Sequence, residues 1–492
     1  MKPWPKYPVI YEINAFAWLH CLSVKYNEVL TFESVPFEEW DLLGSLGVDA
    51  VWFMGVWERS PAGIQVVRKN EALMSEFRKV LPDFQDEDLI GSAYCIRNYV
   101  VDKGLGGTEG FAYARKMLAS RDIRLILDFV PNHVAPDHKW AFEHPEYFIR
   151  GSEDDLKNDS SSFIRAGQNV IALGRDPYFP AWPDVLQLNA FNKGLQNAVK
   201  ETVSIIASQC DGIRCDMAML MMNKIFERTW GARAGEKPAS DYWERLIPAI
   251  KIQNPDFKFI AESYWDLEWD LQQQGFDFCY DKSLYDRMEH NNTENVRQHL
   301  LGEMSYQDKM IRFLENHDEP RAASIFNSQK EKMAAVIVST LPGAKLLHEG
   351  QFEGFKTRVP VFLGRRPVEQ PDTDLLGFYY KLLKKVENDV FRNGCWRLCK
   401  LSGWPDNCSF QNILAYCWQN DCDRYLIIVN FSDHLSQAIL KLQWEDLPGK
   451  NWFLYDVLSA DPYERNGSEM MEKGLFVELK PWNCHFFKIE QN

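Results

Sequence analysis

The amino-acid sequence predicts an α/β fold: a (β/α)8 TIM barrel with an inserted subdomain after strand 3 and a C-terminal antiparallel β-sandwich domain. Three observations predict it. Eight short apolar runs alternate with longer amphipathic segments, two connections between these runs are unusually long, and the composition changes after about residue 390. Alternating strands and helices are typical of parallel sheets covered by helices, and eight such units favour a closed barrel.

The eight apolar runs are the predicted barrel strands. Most of them are apolar on both faces, as expected for parallel strands that helices cover. Between them, Leu195, Val199 and Val203 recur every fourth residue and form the apolar stripe of a helix. The predicted strands are residues 9–14, 50–54, 124–130, 212–218, 257–262, 276–280, 310–315 and 344–348, and helical patterns cover residues 71–80, 110–120, 193–209 and 375–386.

Two connections, 56–122 and 134–189, are too long for ordinary barrel loops. The second contains clusters of Gly, Ser, Asp and Pro, which indicate a small inserted subdomain. After about residue 390, short alternating runs separated by turn residues predict an antiparallel β domain, with strands at 413–418, 425–430, 438–442, 452–455 and 475–479. We therefore assign residues 1–133 and 190–390 to the barrel, 134–189 to the insertion and 391–492 to the C-terminal domain.

Composition and charge exclude several classes of function. The chain has 492 residues and a net charge of −15, so it lacks a basic footprint for nucleic acid and is unsuited to anionic membranes. No apolar run approaches the roughly 20 residues that span a bilayer. The 11 cysteines have no CxxC spacing, which argues against a zinc site. These scattered thiols, with no apolar signal run at the N-terminus, predict a cytoplasmic protein of undetermined oligomeric state.

Polar side chains follow four of the predicted strands, at the end of the barrel where such enzymes place their sites. Two carboxylates that flank a glycosidic bond can break it, one as nucleophile and one as acid/base. Arg214 precedes Asp216 by two residues, so both side chains share a face and the Arg can hold the Asp ionised. Glu262 follows three apolar residues, which favours the raised pKa of a general acid.

These strand ends resemble the four signature regions of the α-amylase family, glycoside hydrolase family 13. The four segments are DFVPNH at 128–133, DGIRCD at 211–216, AES at 261–263 and FLENHDEPRAAS at 313–324. LQLN at 186–189 resembles the motif that ends the family's inserted domain, and Gly350-Gln351 fits the segment after the eighth strand. The resemblance runs in order along the whole chain.

The resemblance implies a role for each residue. Asp216 would be the nucleophile, Glu262 the general acid/base and Asp318 the transition-state stabiliser of a double displacement that retains the α configuration. The substrate would be a neutral oligosaccharide. Tyr94, His133, Arg214 and His317 would line one sugar subsite, Arg321 would help to hold Asp318, and Asp128 and Asn132 would brace the site, Asn132 by a link to the inserted domain.

The sequence departs from the family pattern near the acceptor side. After Asp216 it reads Met217-Ala218, whereas many amylases have Lys-His there, and that His also serves their calcium site. The segment before Tyr94 lacks the usual His-Gly, and Asn98 replaces an Asp. These departures argue against both calcium and endo-amylase specificity, and we expect neither a metal nor a cofactor.

Three functions remain open at this point. The first is a hydrolase of α-glucosidic bonds in oligosaccharides such as maltodextrins. The second is a transglycosylase or isomerase of the trehalose-, sucrose- or maltosyl-transfer type, which would use the same catalytic residues. The third is a non-catalytic relative like the transporter-associated heavy chains, which commonly lose members of the triad that is complete here.

Overall fold

The computed structural model describes residues 2–290, 293–459 and 461–491, so residues 1 and 492 of the predicted domains lie outside it. Its centre is a closed barrel of eight parallel strands, which confirms the predicted fold class. The barrel closes where the first strand pairs with the eighth, Val9 opposite Lys345. The strands are Val9–Asn14, Ala50–Met54, Arg124–Phe129, Gly212–Cys215, Lys258–Ala261, Phe278–Tyr280, Met310–Arg312 and Ala344–His348.

Five barrel strands are shorter than predicted, and two of them end three residues early, just before polar motifs. The fourth strand ends at Cys215 rather than at residue 218, because Met217 adopts a left-handed backbone conformation with φ of 43°. The seventh strand ends at Arg312 rather than at residue 315. The chain therefore leaves the ladder at the point where Asp216 and Asp318 approach the barrel mouth.

Helices cover the barrel, and the predicted apolar stripe is buried in the helix Lys193–Ala207. The stretch Glu71–Val80 is a helix with the predicted bounds. The other α-helices are Ala15–Tyr26, Phe37–Ser45, Pro61–Arg68, Gly107–Ala119, Trp140–Glu143, Glu153–Asn158, Asn223–Trp230, Tyr242–Lys251, Glu268–Gln273, Lys282–Glu289, Thr293–Leu300, Met304–Gln307, Ala322–Ile325, Ser328–Thr340, Thr373–Val386, Val390–Asn393 and Gly467–Lys473.

The long connection after the third barrel strand forms an antiparallel sheet of four strands. In spatial order these are His133–Val134, Trp182–Gln187, Asn169–Gly174 and Phe163–Ala166. The other long connection, residues 56–122, contains a hairpin in which Trp57–Arg59 pairs with Ile96–Val101. Both elements lie on the C-terminal side of barrel strands, where loops build sites.

The C-terminal segment forms two antiparallel sheets. One has the strand order Cys395–Leu398, Ile413–Gln419, Arg424–Asn430, Cys484–Gln491, Asn451–Asp456 and Pro462–Asn466, and the other has Lys400–Ser402, Ser436–Lys441 and Leu475–Leu479. Sequence patterns missed four of these nine strands. Pro462–Asn466 shows why: it is mostly exposed and has no apolar alternation to detect.

The barrel and the C-terminal domain share one apolar core. Trp418, on the second strand of the larger sheet, is fully buried, and its indole N–H donates to the carbonyl of Thr340 at 2.6 Å. The hydroxyls of Thr340 and Tyr416 lie 2.7 Å apart. Within the described residues, no helix has the length and apolar character needed to cross a membrane.

We predict that Trp418→Ala lowers the free energy of unfolding by about 3–5 kcal/mol, because it leaves a cavity between two domains and an unpaired carbonyl. Chemical denaturation measures this change. Trp404→Ala is the matched control, because Trp404 is half-buried at the far side of the domain against Phe476. An equal loss in both variants would contradict the shared core.

Candidate active site

A cavity of about 310 Å³ opens at the C-terminal mouth of the barrel. Barrel strand ends, the inserted sheet and the loop after the eighth strand all contribute to its walls. The lining residues are Ser92, Tyr94, His133, Trp182, Asp184, Val185, Asp216, Met217, Glu262, Tyr264, Asp318 and Phe362. Three carboxylates predicted from separate motifs, Asp216, Glu262 and Asp318, therefore share one pocket.

The guanidinium of Arg214 lies beside these carboxylates. Its Nη1 donates to Asp216 at 2.7 Å, and its Nη2 lies 2.8 Å from Glu262. Asp128 and Asp318 are farther, at 3.6 and 4.0 Å. The Arg214 side chain is 1% exposed, so a desolvated cation holds Asp216 and Glu262 directly and lies close to the other two carboxylates.

Glu262 is held by neighbours on both of its oxygens. The backbone N–H of Met217 donates to Oε2 at 2.5 Å, and the Tyr264 hydroxyl donates to Oε1 at 2.9 Å. The left-handed turn at Met217 is what directs this N–H to the carboxylate. Burial raises the pKa of Glu262 to about 7, and the negative charge of Asp216 adds to that effect, although Arg214 opposes it.

Asp216 has a different balance of neighbours. Burial raises its pKa and the charge of Asp318 adds to this, while Arg214 opposes both through its charge and a direct hydrogen bond. The backbone N–H of Asp216 donates to the carbonyl of Phe129, which fixes the residue against the third strand. Asp216 is thus a rigid, buried carboxylate beside a raised-pKa Glu262, a pair suited to acid–base and nucleophilic chemistry.

Asp318 and Tyr94 both contact the His317 imidazole. Nε2 of His317 lies 3.0 Å from Asp318 Oδ2 and 2.7 Å from the Tyr94 hydroxyl, and the two rings stack with centroids 5.4 Å apart. Desolvation alone would raise the pKa of Asp318, but His317 outweighs it and lowers the pKa to about 2. Asp318 is therefore the carboxylate that stays charged.

Asp128, Asn132 and His133 lie beneath or beside the pocket. The indole of Trp52 donates to Asp128 at 3.2 Å, and burial raises the pKa of Asp128 to about 6. Gln187 of the inserted sheet donates to the Asn132 side chain at 2.9 Å, which is the link to the insertion that the sequence suggested. Burial lowers the pKa of His133 to about 4, so its ring is neutral at pH 7.

The structure places Arg321 away from Asp318. Its Nη1 donates to Glu315 at 2.6 Å and also contacts His348, and its Nη2 donates to the carbonyl of Glu349 at 2.9 Å. The guanidinium therefore ties the seventh strand's end to the loop after the eighth strand. The residue that holds the Asp318 carboxylate is instead His317.

Several pocket residues were not singled out from the sequence. Asp184 of the inserted sheet is 8% exposed, and burial raises the pKa of its carboxyl to about 6. The Tyr264 hydroxyl donates a hydrogen bond to Glu262. No local motif marks them, because long-range folding brings them in. Tyr264 alone had a usable signal, its position two residues after Glu262.

The described residues contain no group of three or more His, Cys, Asp or Glu side chains placed to hold a metal ion. What the pocket does offer is a proton donor, a fixed carboxylate and a charged carboxylate around a space suited to a small polar ligand. Such an arrangement can protonate a leaving group while a carboxylate attacks or stabilises the opposite face.

Comparisons with known proteins agree with this geometry. The family model for "Alpha amylase, catalytic domain" matches residues 37–169. Alpha-amylase 3 of Dictyoglomus thermophilum is 24% identical over 298 residues, which is 56% of this chain and 56% of that protein. An alpha-1,4-glucan:maltose-1-phosphate maltosyltransferase of Picrophilus torridus is 27% identical over 203 residues, 40% of this chain and 27% of that protein. The matches thus span about half of the first protein and less of the second.

The solved structures extend the likeness over the whole fold. The noncanonic maltogenic alpha-amylase AmyB from Thermotoga neapolitana superposes with a TM-score of 0.70 at 19% identity, covering 98% of both chains. An alpha-amylase from Lactobacillus plantarum gives 0.69 at 18% identity, with 98% of this chain and 99% of that chain covered.

In sequence the chain therefore resembles the α-amylase family, glycoside hydrolase family 13, and in fold it resembles solved α-amylases. It is similar in particular to enzymes called alpha-amylases and, over a shorter stretch, to a maltosyltransferase.

We predict that Arg214→Met lowers the free energy of unfolding by about 3–5 kcal/mol at pH 8, because it leaves buried carboxylates without a counter-charge. The loss should be smaller at pH 5: carboxyls with raised pKa values become protonated in the folded protein as the pH falls, and the repulsion disappears. Urea denaturation at both pH values measures the difference.

Arg165→Met is the control for this prediction. Arg165 pairs with Glu153 on the surface, where the two side chains are 47% and 69% exposed, so its loss should leave the free energy of unfolding nearly unchanged at either pH. A loss for Arg214→Met that is equally large at pH 5 and pH 8 would contradict the electrostatic account.

Proposed function

We propose that this protein is a retaining α-glycosidase that acts on α-glucosidic bonds of oligosaccharides through a covalent glycosyl-enzyme intermediate. The observation that carries the proposal is the Arg214 cluster. Asp216 and Glu262 contact neighbouring nitrogens of one guanidinium, which is consistent with the separation of about 5–5.5 Å typical of retaining enzymes.

In this mechanism the three carboxylates have different roles. Glu262 protonates the leaving oxygen while Asp216 attacks the anomeric carbon, and Glu262 then deprotonates the incoming water. A pKa of about 7 suits Glu262 to both steps. Near neutral pH the carboxyl can donate a proton in the first step, and the resulting carboxylate can accept one from water in the second. Asp318, with its pKa of about 2, carries a permanent negative charge that stabilises the oxocarbenium-like transition state.

The sugar in the cleaved position would lie between Tyr94 and the carboxylates. The Tyr94 ring lies against the pocket, stacked on His317, and offers an apolar face to a pyranose ring. His133 lines the pocket with a neutral ring, so a ring nitrogen can hydrogen-bond to a sugar hydroxyl. Trp182 and Asp184 approach from the insertion and would contact the same or the adjoining sugar.

Transfer to a sugar acceptor is the second candidate function, and one observation favours it. Met217 lines the pocket immediately after Asp216, where a thioether offers an arriving water only a weak hydrogen-bond acceptor. The similarity to a maltosyltransferase agrees with this alternative. We further propose a reducing, cytoplasmic location, which the free state of all 11 cysteines supports.

Product analysis separates these two candidates. The purified protein is incubated with maltoheptaose, trehalose and sucrose in turn, with and without phosphate or added maltose. Hydrolysis predicts shorter sugars with new reducing ends, whereas transfer predicts longer sugars, a sugar phosphate or an isomer with little free glucose. Turnover of none of the three would contradict the proposed substrate class.

We predict that Asp216→Asn lowers kcat on an aryl α-glucoside by at least about 10³-fold while the protein remains folded, because an amide cannot form the glycosyl ester. A fluorinated glucosyl fluoride should label the wild type by one glycosyl unit on the peptide that contains Asp216, as read by mass spectrometry. Asp184→Asn is the matched control, since it should raise KM and still permit labelling. Label on another carboxylate would reassign the nucleophile.

We also predict that kcat/KM for a natural glycoside falls as the pH rises past about 7, because Glu262 must be protonated to act as the acid. Glu262→Gln should remove this alkaline limb and leave measurable glycosylation only for substrates whose leaving group needs no proton. A variant that keeps the wild-type pH profile would exclude Glu262 from the acid role.

A further inference from the structure

The imidazole of His317 is held from behind by a residue that never meets the pocket. Glu12 lies on the first barrel strand, its side chain is fully buried, and its Oε1 is 2.5 Å from His317 Nδ1. On the other side of the ring, Nε2 faces Asp318 at 3.0 Å and the Tyr94 hydroxyl at 2.7 Å. The result is a linear chain of carboxylate, imidazole and carboxylate from the barrel interior to the pocket.

Burial of the Glu12 carboxylate costs free energy, and only one of its two oxygens has a hydrogen-bond partner among the described residues. Its second oxygen, Oε2, has no hydrogen-bond partner among the described residues. A buried carboxylate with a free oxygen is poorly explained by stability alone, because an uncharged side chain of that size would avoid the desolvation penalty. The single short contact to His317 is what the Glu12 carboxylate does provide.

The charge state of His317 decides what its Nε2 can do. A doubly protonated ring donates from both nitrogens, so it can bind Glu12 and Asp318 at once. A neutral ring with its proton on Nδ1 would turn a lone pair toward the Asp318 carboxylate and repel it. The position of Asp318 therefore depends on a charge that two carboxylates, one on each side, stabilise.

We propose that Glu12 is a positioning residue that keeps His317 doubly protonated, so that His317 holds Asp318 and Tyr94 in place beside the sugar; this rests on the proposed function. Glu12 does not itself touch the substrate, because it is 0% exposed. It acts through the imidazole, as the carboxylate of other acid–His pairs does when it orients the ring and stabilises its charged form.

Other charged groups around the chain are consistent with this role. Arg214 and His348 oppose the negative charge of Glu12, while Asp128 adds a further negative charge near the ring. Burial alone would lower the pKa of His317, but Asp318 and Glu12 outweigh it and raise the pKa well above its ordinary value. The edge of the His317 ring contacts Trp52, with centroids 5.6 Å apart, so water has little access from that side.

The test is the pH dependence of kcat/KM for α-glucosyl fluoride, whose leaving group needs no proton from Glu262. The wild type should then show no alkaline limb between pH 6 and pH 9. In Glu12→Gln the His317 pKa should fall toward its ordinary value, and kcat/KM should drop about tenfold per pH unit above it. Glu12→Asp retains the charge and should keep the flat profile.

Glu315→Gln is the matched control. Glu315 is also a buried carboxylate, in the segment just after the seventh barrel strand, and it contacts His348 at 3.2 Å rather than His317. Its loss should change the overall rate without adding a limb. If Glu12→Gln lowers kcat/KM equally at every pH, Glu12 has only a structural role and the proposal is wrong.

A second measurement is made on the wild-type protein and does not depend on its activity. In wild-type protein labelled on its histidines, nitrogen NMR should show the His317 ring doubly protonated at pH 8, while the buried His133 ring is neutral; His317→Gln identifies the signal. A neutral His317 at pH 7 would overturn the proposal. Absence of any turnover by the wild type would instead refute the proposed function, and the NMR result would still decide the role of Glu12.

Discussion

The rest of the site depends on one interaction, the contact of the Arg214 guanidinium with carboxylates from four strand ends. Asp216 and Glu262 lie within 2.8 Å of it, and Asp128 and Asp318 lie within 4.0 Å. Three of these carboxylates, Asp128, Asp216 and Glu262, are buried, and at such distances they would repel one another strongly in a medium of low dielectric constant. The barrel supplies what a cluster of this kind requires, because its strands fix both the cation and the acids on a rigid frame.

A shared cation does not give the carboxylates a shared chemistry. Glu262 is buried between Arg214 and the negative charge of Asp216, and its pKa is raised to about 7. Asp318 receives a second positive charge from His317, and its pKa is lowered to about 2. The difference arises from the second contact of each group rather than from Arg214, and it separates a proton donor from a permanent anion. The second contacts are therefore as much a part of the site as the carboxylates.

The sequence predicted the parts of the structure that depend on local pattern. All eight barrel strands and the triad carboxylates were found, because apolar runs and strand-end motifs are contiguous in the chain. Residues placed by long-range folding escaped: Glu12 is one polar residue within an apolar strand, and Asp184 reaches the pocket only through the fold of the insertion. Arg321 was misplaced for a related reason. Closeness in sequence to Asp318 does not fix the direction of a long side chain, and Glu315 with the loop after the eighth strand binds it instead.

The choice between hydrolysis and transfer also depends on the neighbours of Asp216 and Glu262 rather than on these two carboxylates. Both reactions share Asp216 and Glu262, so the choice lies with the groups that meet the acceptor. Met217 is fixed there by its own backbone, since its N–H must reach Glu262 for the acid to be held. The left-handed turn that brings this about therefore also places a thioether beside Asp216. With an apolar group at that position, the nearby polar side chains His133 and Asp184 become the ones that can bind either water or a sugar hydroxyl, and both belong to the inserted sheet.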